Sequence, residues 1–181
     1  MKKITLILLG LIFSISVYAQ QNQWICRNGE TSFFSETPLE NIAALNKNVA
    51  SIIDFSKGEI AVRMTMTEFK FQNHLMEEHF NENYMESEKF PTGTFKGKIQ
   101  EAIDVTKNGT YDISAKGQLT MHGVTKERLM KGKLTIDNGQ MTLVTNFDVA
   151  LKDHKIEIPT LVMAKIAEVI TVKNKFLFVA K

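Results

Sequence analysis

The side chains of this chain that could ligate a metal or move a proton are four histidines and a scatter of carboxylates. His74 and His79 are five residues apart, which is about 140° around a helix of 3.6 residues per turn, so they share no ligating face. Glu77 and Glu78 lie between them without completing an H-E-x-x-H pattern. His122 precedes Gly123 and reads as a turn residue bonded to backbone, while His154 stands in a charged loop beside Lys152, Asp153 and Lys155. There is no nucleophile elbow and no glycine loop of phosphate-binding spacing. Asp148 and Asp153 read as surface carboxylates. The expectation is a chain with no catalytic residue, no metal site and no cofactor.

The second chemistry on offer is apolar. Met64, Met66, Phe69, Phe71, Leu75, Met76, Phe80, Tyr84, Phe95, Ile113, Leu119, Met121, Leu143 and Phe147 fall at spacings that turn them towards one interior. Methionine is flexible and polarizable, so a wall of this kind suits a flexible chain better than a rigid planar ligand. Alternation alone does not distinguish a hollow interior from a filled one, because that depends on packed volumes. Glu101, Arg63 and Lys70 are candidates for meeting a polar head.

These residues need a scaffold, and the patterning around them is mostly of strand type. Residues 24–27 and 30–35 read as strands about an Asn28-Gly29 turn, and residues 51–55 and 59–71 as a further pair. Along 59–71 the apolar phase flips from Met66 to Phe69, which calls for a bulge or bend near Thr67 and Glu68. Residues 95–103 and 111–121 alternate across a turn at Lys107, Asn108 and Gly109; 129–136 and 141–151 pair across Asp137, Asn138 and Gly139; residues 170–179 form a last strand. Thr37, Pro38 and Glu40 carry the signature of a helix start. Met76, Phe80 and Tyr84 share a helix face, and a third short helix is expected around 161–168. About eight strands with short helices predict a mainly β fold, an antiparallel barrel with room for side chains or one small ligand.

Residues 1–19 combine Lys2 and Lys3 with an apolar run and a small residue at Ala19, the pattern of a signal peptide cleaved before Gln20. Residues 20–181 then form one domain, exported to the periplasm or secreted and not membrane-spanning. Without Lys2 and Lys3 the 22 basic residues become 20 against 20 acidic ones, and nucleic acid is not an expected partner. Cys26 is the single cysteine and has no partner within the chain.

Two blocks carry a family resemblance. LMEEHFNENYMES at residues 75–87, followed by KFP at 89–91 and FKG at 95–97, resembles the signature of YceI-like proteins, a lipocalin-like family of exported bacterial proteins. GQLTMHGVT at 117–125 matches a second block of that family, in the right order and spacing. The resemblance implies a lipocalin-like antiparallel β-barrel in the bacterial periplasm that encloses a polyisoprenoid or another amphiphile.

The functional expectation is binding, transport or sequestration of a long-chain lipid (isoprenoid, quinone-like or fatty-acid-like) without chemistry. The alternative is an envelope stress or scaffold protein whose barrel is filled and which binds a protein partner. Dimerisation is common in lipocalin-like barrels and leaves no mark in the sequence, so a homodimer stays open.

Overall fold

The computed structural model describes residues 23–181, the Leu161 side chain excepted; the expected leader at 1–19 lies outside the described residues. Nine strands run in chain order: β1 (Gln23–Glu36), β2 (Asn41–Asp54), β3 (Glu59–Thr65), β4 (Lys70–Phe71), β5 (Thr92–Ile99), β6 (Gly109–Met121), β7 (Val124–Asp137), β8 (Gln140–Ala150) and β9 (Val169–Ala180). Eight of them form one antiparallel circuit, β1-β2-β3-β5-β6-β7-β8-β9, which β1 closes by pairing with both β2 and β9. Closure removes the open edges that a sheet of this size would otherwise present. Among the described residues no helix is long and apolar enough to cross a membrane.

The turns follow local chemistry. His122 and Gly123 (φ 50° and 70°) join β6 to β7, and Asn138 and Gly139 (φ 46° and 79°) join β7 to β8, both with the paired positive φ of a two-residue hairpin. Strand β7 therefore begins at Val124, five residues before the expected start.

Several expectations are corrected. Asn28 and Gly29 do not turn the chain; they form an irregularity inside β1, where the register with β2 shifts on either side of Gly29. A Cβ on Gly29 would lie 2.8 Å from Phe176 Cε1, so the glycine makes room for that ring. The helix expected at Thr37 is absent. Thr37 Oγ1 does accept the Glu40 and Leu39 N–H groups at 3.0 and 3.3 Å, as an N-cap would, but the turn leads straight into β2. That strand hides its period because its inward residues include Ala44, Asn46, Val49 and Ser51, too mixed in polarity to read as an apolar face.

Of the bulge or bend expected near Thr67 and Glu68, the chain takes the bend, a 3-10 turn over Met66–Glu68. Met66 and Phe69 are both buried, and β4 then pairs with Ala44 and Leu45 of β2. The β5–β6 connection is a loop over residues 100–108, not a tight hairpin. Glu101 lies in that loop, where its carboxylate accepts the Ser114 N–H and Oγ–H, each at 2.7 Å. In place of a helix at 161–168 there is one 3-10 turn, Thr160–Val162; a separate one, Leu151–His154, follows β8 directly.

The barrel has two unlike halves. At the end holding the start of β1, Ile53, Leu134, Met141 and Phe178 are completely buried, and Trp24 and Phe176 pack among them. Cys26 is buried here as well, and burial pushes its thiol pKa up. The thiol is thereby kept protonated and unreactive. At the other end the inward side chains Phe33, Met64, Phe71, Met121 and Ile170 are only half-buried, because they border space.

Candidate functional site

The segment between β4 and β5 covers that second end. Asn73 caps helix α1 (His74–His79) by accepting the Leu75 N–H at 2.9 Å. The helix continues as a wider π turn over Phe80–Tyr84, a form found often at functional sites. Phe80 is its anchor. Its ring lies 5.5 Å from Phe33, 5.6 Å from Phe69 and 5.1 Å from Phe71, within the range of favourable aromatic contact.

Both ends of this cover are tied down. At the entry Glu77 accepts Lys70 Nζ at 2.7 Å and the Phe71 N–H at 3.2 Å, and the Lys70 ammonium holds its carboxyl below the ordinary carboxylate range. At the exit Glu86, at φ 44°, meets His122 Nε2 at 2.9 Å. His122 Nδ1 is 3.0 Å from the His154 carbonyl, and Phe90 lies edge-on to its imidazole at 4.7 Å. The backbone bond expected for His122 is thus present, with a carboxylate partner in addition.

His154 is not a surface loop residue: it is fully buried, with Nδ1 3.2 Å from the Val124 carbonyl. Desolvation lowers its pKa against the opposing pull of the Val124 and Met121 carbonyls and Asp153, with Arg128 adding to the decrease. The folded protein thus holds a neutral imidazole where the unfolded chain protonates near pH 6.5. Below that pH the unfolded state binds the extra proton, so stability falls on acidification until the native pKa is passed. Melting temperature should drop between pH 7 and pH 5, and His154→Gln should show a shallower slope over the same window.

Beneath the cover lies a cavity of about 370 Å³. Of the fourteen residues expected at an apolar pocket, Met64, Met66, Phe69, Phe71, Leu75, Met76, Phe80, Tyr84, Leu119, Met121 and Phe147 border it. Burial raises the pKa of the Tyr84 phenol, which keeps a neutral hydroxyl at the wall. Phe95, Ile113 and Leu143 do not border it; they pack in the filled half with Leu134 and Phe176. Their inward phase was read correctly, but phase does not reveal height along a barrel.

Sequence reasoning missed Phe33, Ile42, Ile156, Ile166, Ile170 and Val172 as wall residues. Alternation with Thr31 and Ser35 could have placed Phe33, and alternation with Asn174, Phe176 and Phe178 could have placed Ile170 and Val172. Ile42 was hidden by the helix reading, and Ile156 and Ile166 lie in irregular segments without a period.

The wall is apolar, with polar groups at few places. Lys165 Nζ and Glu40 Oε2, both in its lining, are 3.6 Å apart, and Asn73 and His79 also line it. The three candidates for a polar head do not border the cavity. Glu101 is engaged with Ser114, Lys70 is exposed and paired with Glu77, and Arg63 is exposed. His74 and Glu78 form a local pair at 3.3 Å, and among the described residues no cluster of three or more metal-ligating side chains is present.

Comparison with known proteins agrees with this geometry. A polyisoprenoid binding domain from Saccharophagus degradans implicated in plant cell wall breakdown superposes with a TM-score of 0.72 at 13% identity, over 88% of this chain and 99% of that one. BcnA of Burkholderia cenocepacia gives a TM-score of 0.71 at 12% identity, over 82% and 95%. A YCEI protein of Campylobacter jejuni gives 0.56 at 16% identity, over 73% and 81%. No curated protein matches the chain. A family model described as a YceI-like domain matches residues 31–178, from the middle of β1 to near the end of β9. With that match spanning the barrel circuit and its covering helix, the chain belongs to the YceI-like domain family.

Proposed function

We propose that this protein binds the chain of a long apolar or amphiphilic molecule in the open half of the barrel and carries or sequesters it without chemical change. The observation that carries this reading is the cavity under α1, on whose wall Phe33, Met64, Phe71, Phe80, Met121 and Phe147 stay half-buried although they point inward. A filled barrel would have buried them as completely as Leu134 and Phe178. The polyisoprenoid binding domain among its structural neighbours supports an apolar ligand. Each methylene transferred from water into such a site contributes about 0.8 kcal/mol, so a chain of moderate length is enough for capture. The proposal includes export, with residues 1–19 as a leader removed before Gln20, and action in the periplasm or outside the cell.

Mass spectrometry of organic extracts from protein purified from its native host tests this reading. A stoichiometric long-chain lipid is expected. Its absence, together with no binding of added long-chain amphiphiles, would sink the proposal and favour a partner-binding scaffold. A local test accompanies it. Phe80→Ala removes the anchor of the cover and should weaken amphiphile binding at least tenfold, more than its loss of stability explains, whereas Lys98→Ala, on an exposed pair with Glu59, should change neither.

A further inference from the structure

The interior contains a second void of about 60 Å³ in the otherwise filled half. It and the main cavity share three bordering residues, Met64 of β3, Leu119 of β6 and Phe147 of β8. These three come from strands spaced around the circuit, and they stand between the two spaces as a partition. Thr31, Asn174 and Thr145 are cross-strand partners on the side of β1, β9 and β8. Thr31 Oγ1 donates to Asn174 Oδ1 at 2.6 Å, and Asn174 Nδ2 donates to Thr145 Oγ1 at 2.8 Å. A descending alkyl chain would meet this polar ladder where the partition leaves off, and contact with it returns less than contact with hydrocarbon.

From this waist we infer that Met64, Leu119 and Phe147 set the length of chain the protein accepts; the inference rests on the ligand-binding reading above. At about 30 Å³ per methylene-sized group, the share of a water molecule in the liquid, the 370 Å³ cavity holds about 12 chain atoms. The void below the partition has room for about two more. The ligand class is therefore a single chain of roughly a dozen carbons in the barrel, and any longer tail has to remain outside it. Met64 is the adjustable member, since an unbranched thioether yields space more readily than Leu or Phe.

The test is a titration of saturated n-alkanoic acids from 8 to 20 carbons against the full folded protein. Affinity should rise about fourfold per added methylene and flatten at about 12 carbons. Met64→Ala removes three heavy atoms and joins the two spaces, so its flattening should move out by about five carbons. Leu119→Ala should move it in the same direction. Met130→Ala is the control for a merely structural effect, because Met130 borders only the lower void. Alone it should leave the flattening where it is, and combined with Met64→Ala it should extend it further. A flattening point unmoved in both Met64→Ala and Leu119→Ala, or moved by Met130→Ala alone, overturns the partition. No binding of any acid by the wild type overturns the ligand-binding reading itself.

Discussion

Replacing Phe178 by alanine is expected to lower the unfolding free energy by about 3–5 kcal/mol, the usual cost of deleting a buried aromatic ring. Phe178 has no exposed surface and lies in the filled half, with its ring centroid 6.2 Å from that of Phe176. It sits on β9 opposite Met141 of β8, so the cavity left behind is enclosed and cannot collapse without moving the circuit. For a chain of this size each kcal/mol corresponds to about 2–4 °C, and thermal unfolding should shift downward by roughly 10 °C. Amphiphile affinity measured well below the transition should stay close to wild type, because Phe178 does not border the open cavity. A comparable loss of affinity in the folded variant would mean that the two halves are not separable.

Gly117→Ala should be as damaging, for a reason that has nothing to do with apolar area. Gly117 of β6 is the direct partner of Gly97 of β5. A Cβ on Gly117 would fall inside the contact distance of the Lys96 carbonyl oxygen and the Gly97 Cα, and 2.7 Å from the Lys96 carbonyl carbon. All three are backbone atoms of the neighbouring strand, so no side chain can move aside. The strands would have to separate, with loss of ladder hydrogen bonds in a closed circuit. A destabilisation of about 3 kcal/mol or more is expected from such overpacking. Urea denaturation checks it: the midpoint should fall, and a variant as stable as wild type would show that β5 and β6 can part without cost.

Much of this architecture was legible in the sequence. The alternation along β6 and β8 and the paired turn residues at Asn138 and Gly139 are local signals whose geometry the rest of the fold does not override. The cover was legible too, since Met76, Phe80 and Tyr84 recur at helical spacing and all three border the cavity. What escaped was information that only the closed circuit contains. Strand β2 turns Asn46 and Ser51 inward, and each is acceptable there because Asn46 Nδ2 donates to the Thr65 carbonyl and Ser51 Oγ to that of Ala61. Those partners are 19 and 10 residues away, so no local pattern announces them. Phe95, Ile113 and Leu143 line the smaller void instead of the main cavity, because alternation names a face while the division into filled and open halves depends on volumes summed across eight strands.

The way β1 closes the circuit has a consequence for how the chain reaches this state. Thr31 and Asn174 bond across 143 residues, and β1 needs β9, at the far end of the sequence, to satisfy one of its edges. Hairpins such as β6–β7 need only their own turn, but the seam between β1 and β9 cannot form until the last strand has been delivered. Folding dominated by so distant a pairing is slow, because loop closure comes before the contacts that reward it. During synthesis, the chain therefore passes a long interval with hairpins made and the barrel still open. Its apolar interior stays available throughout that interval, and the order of events favours completing the seam only once β9 is present.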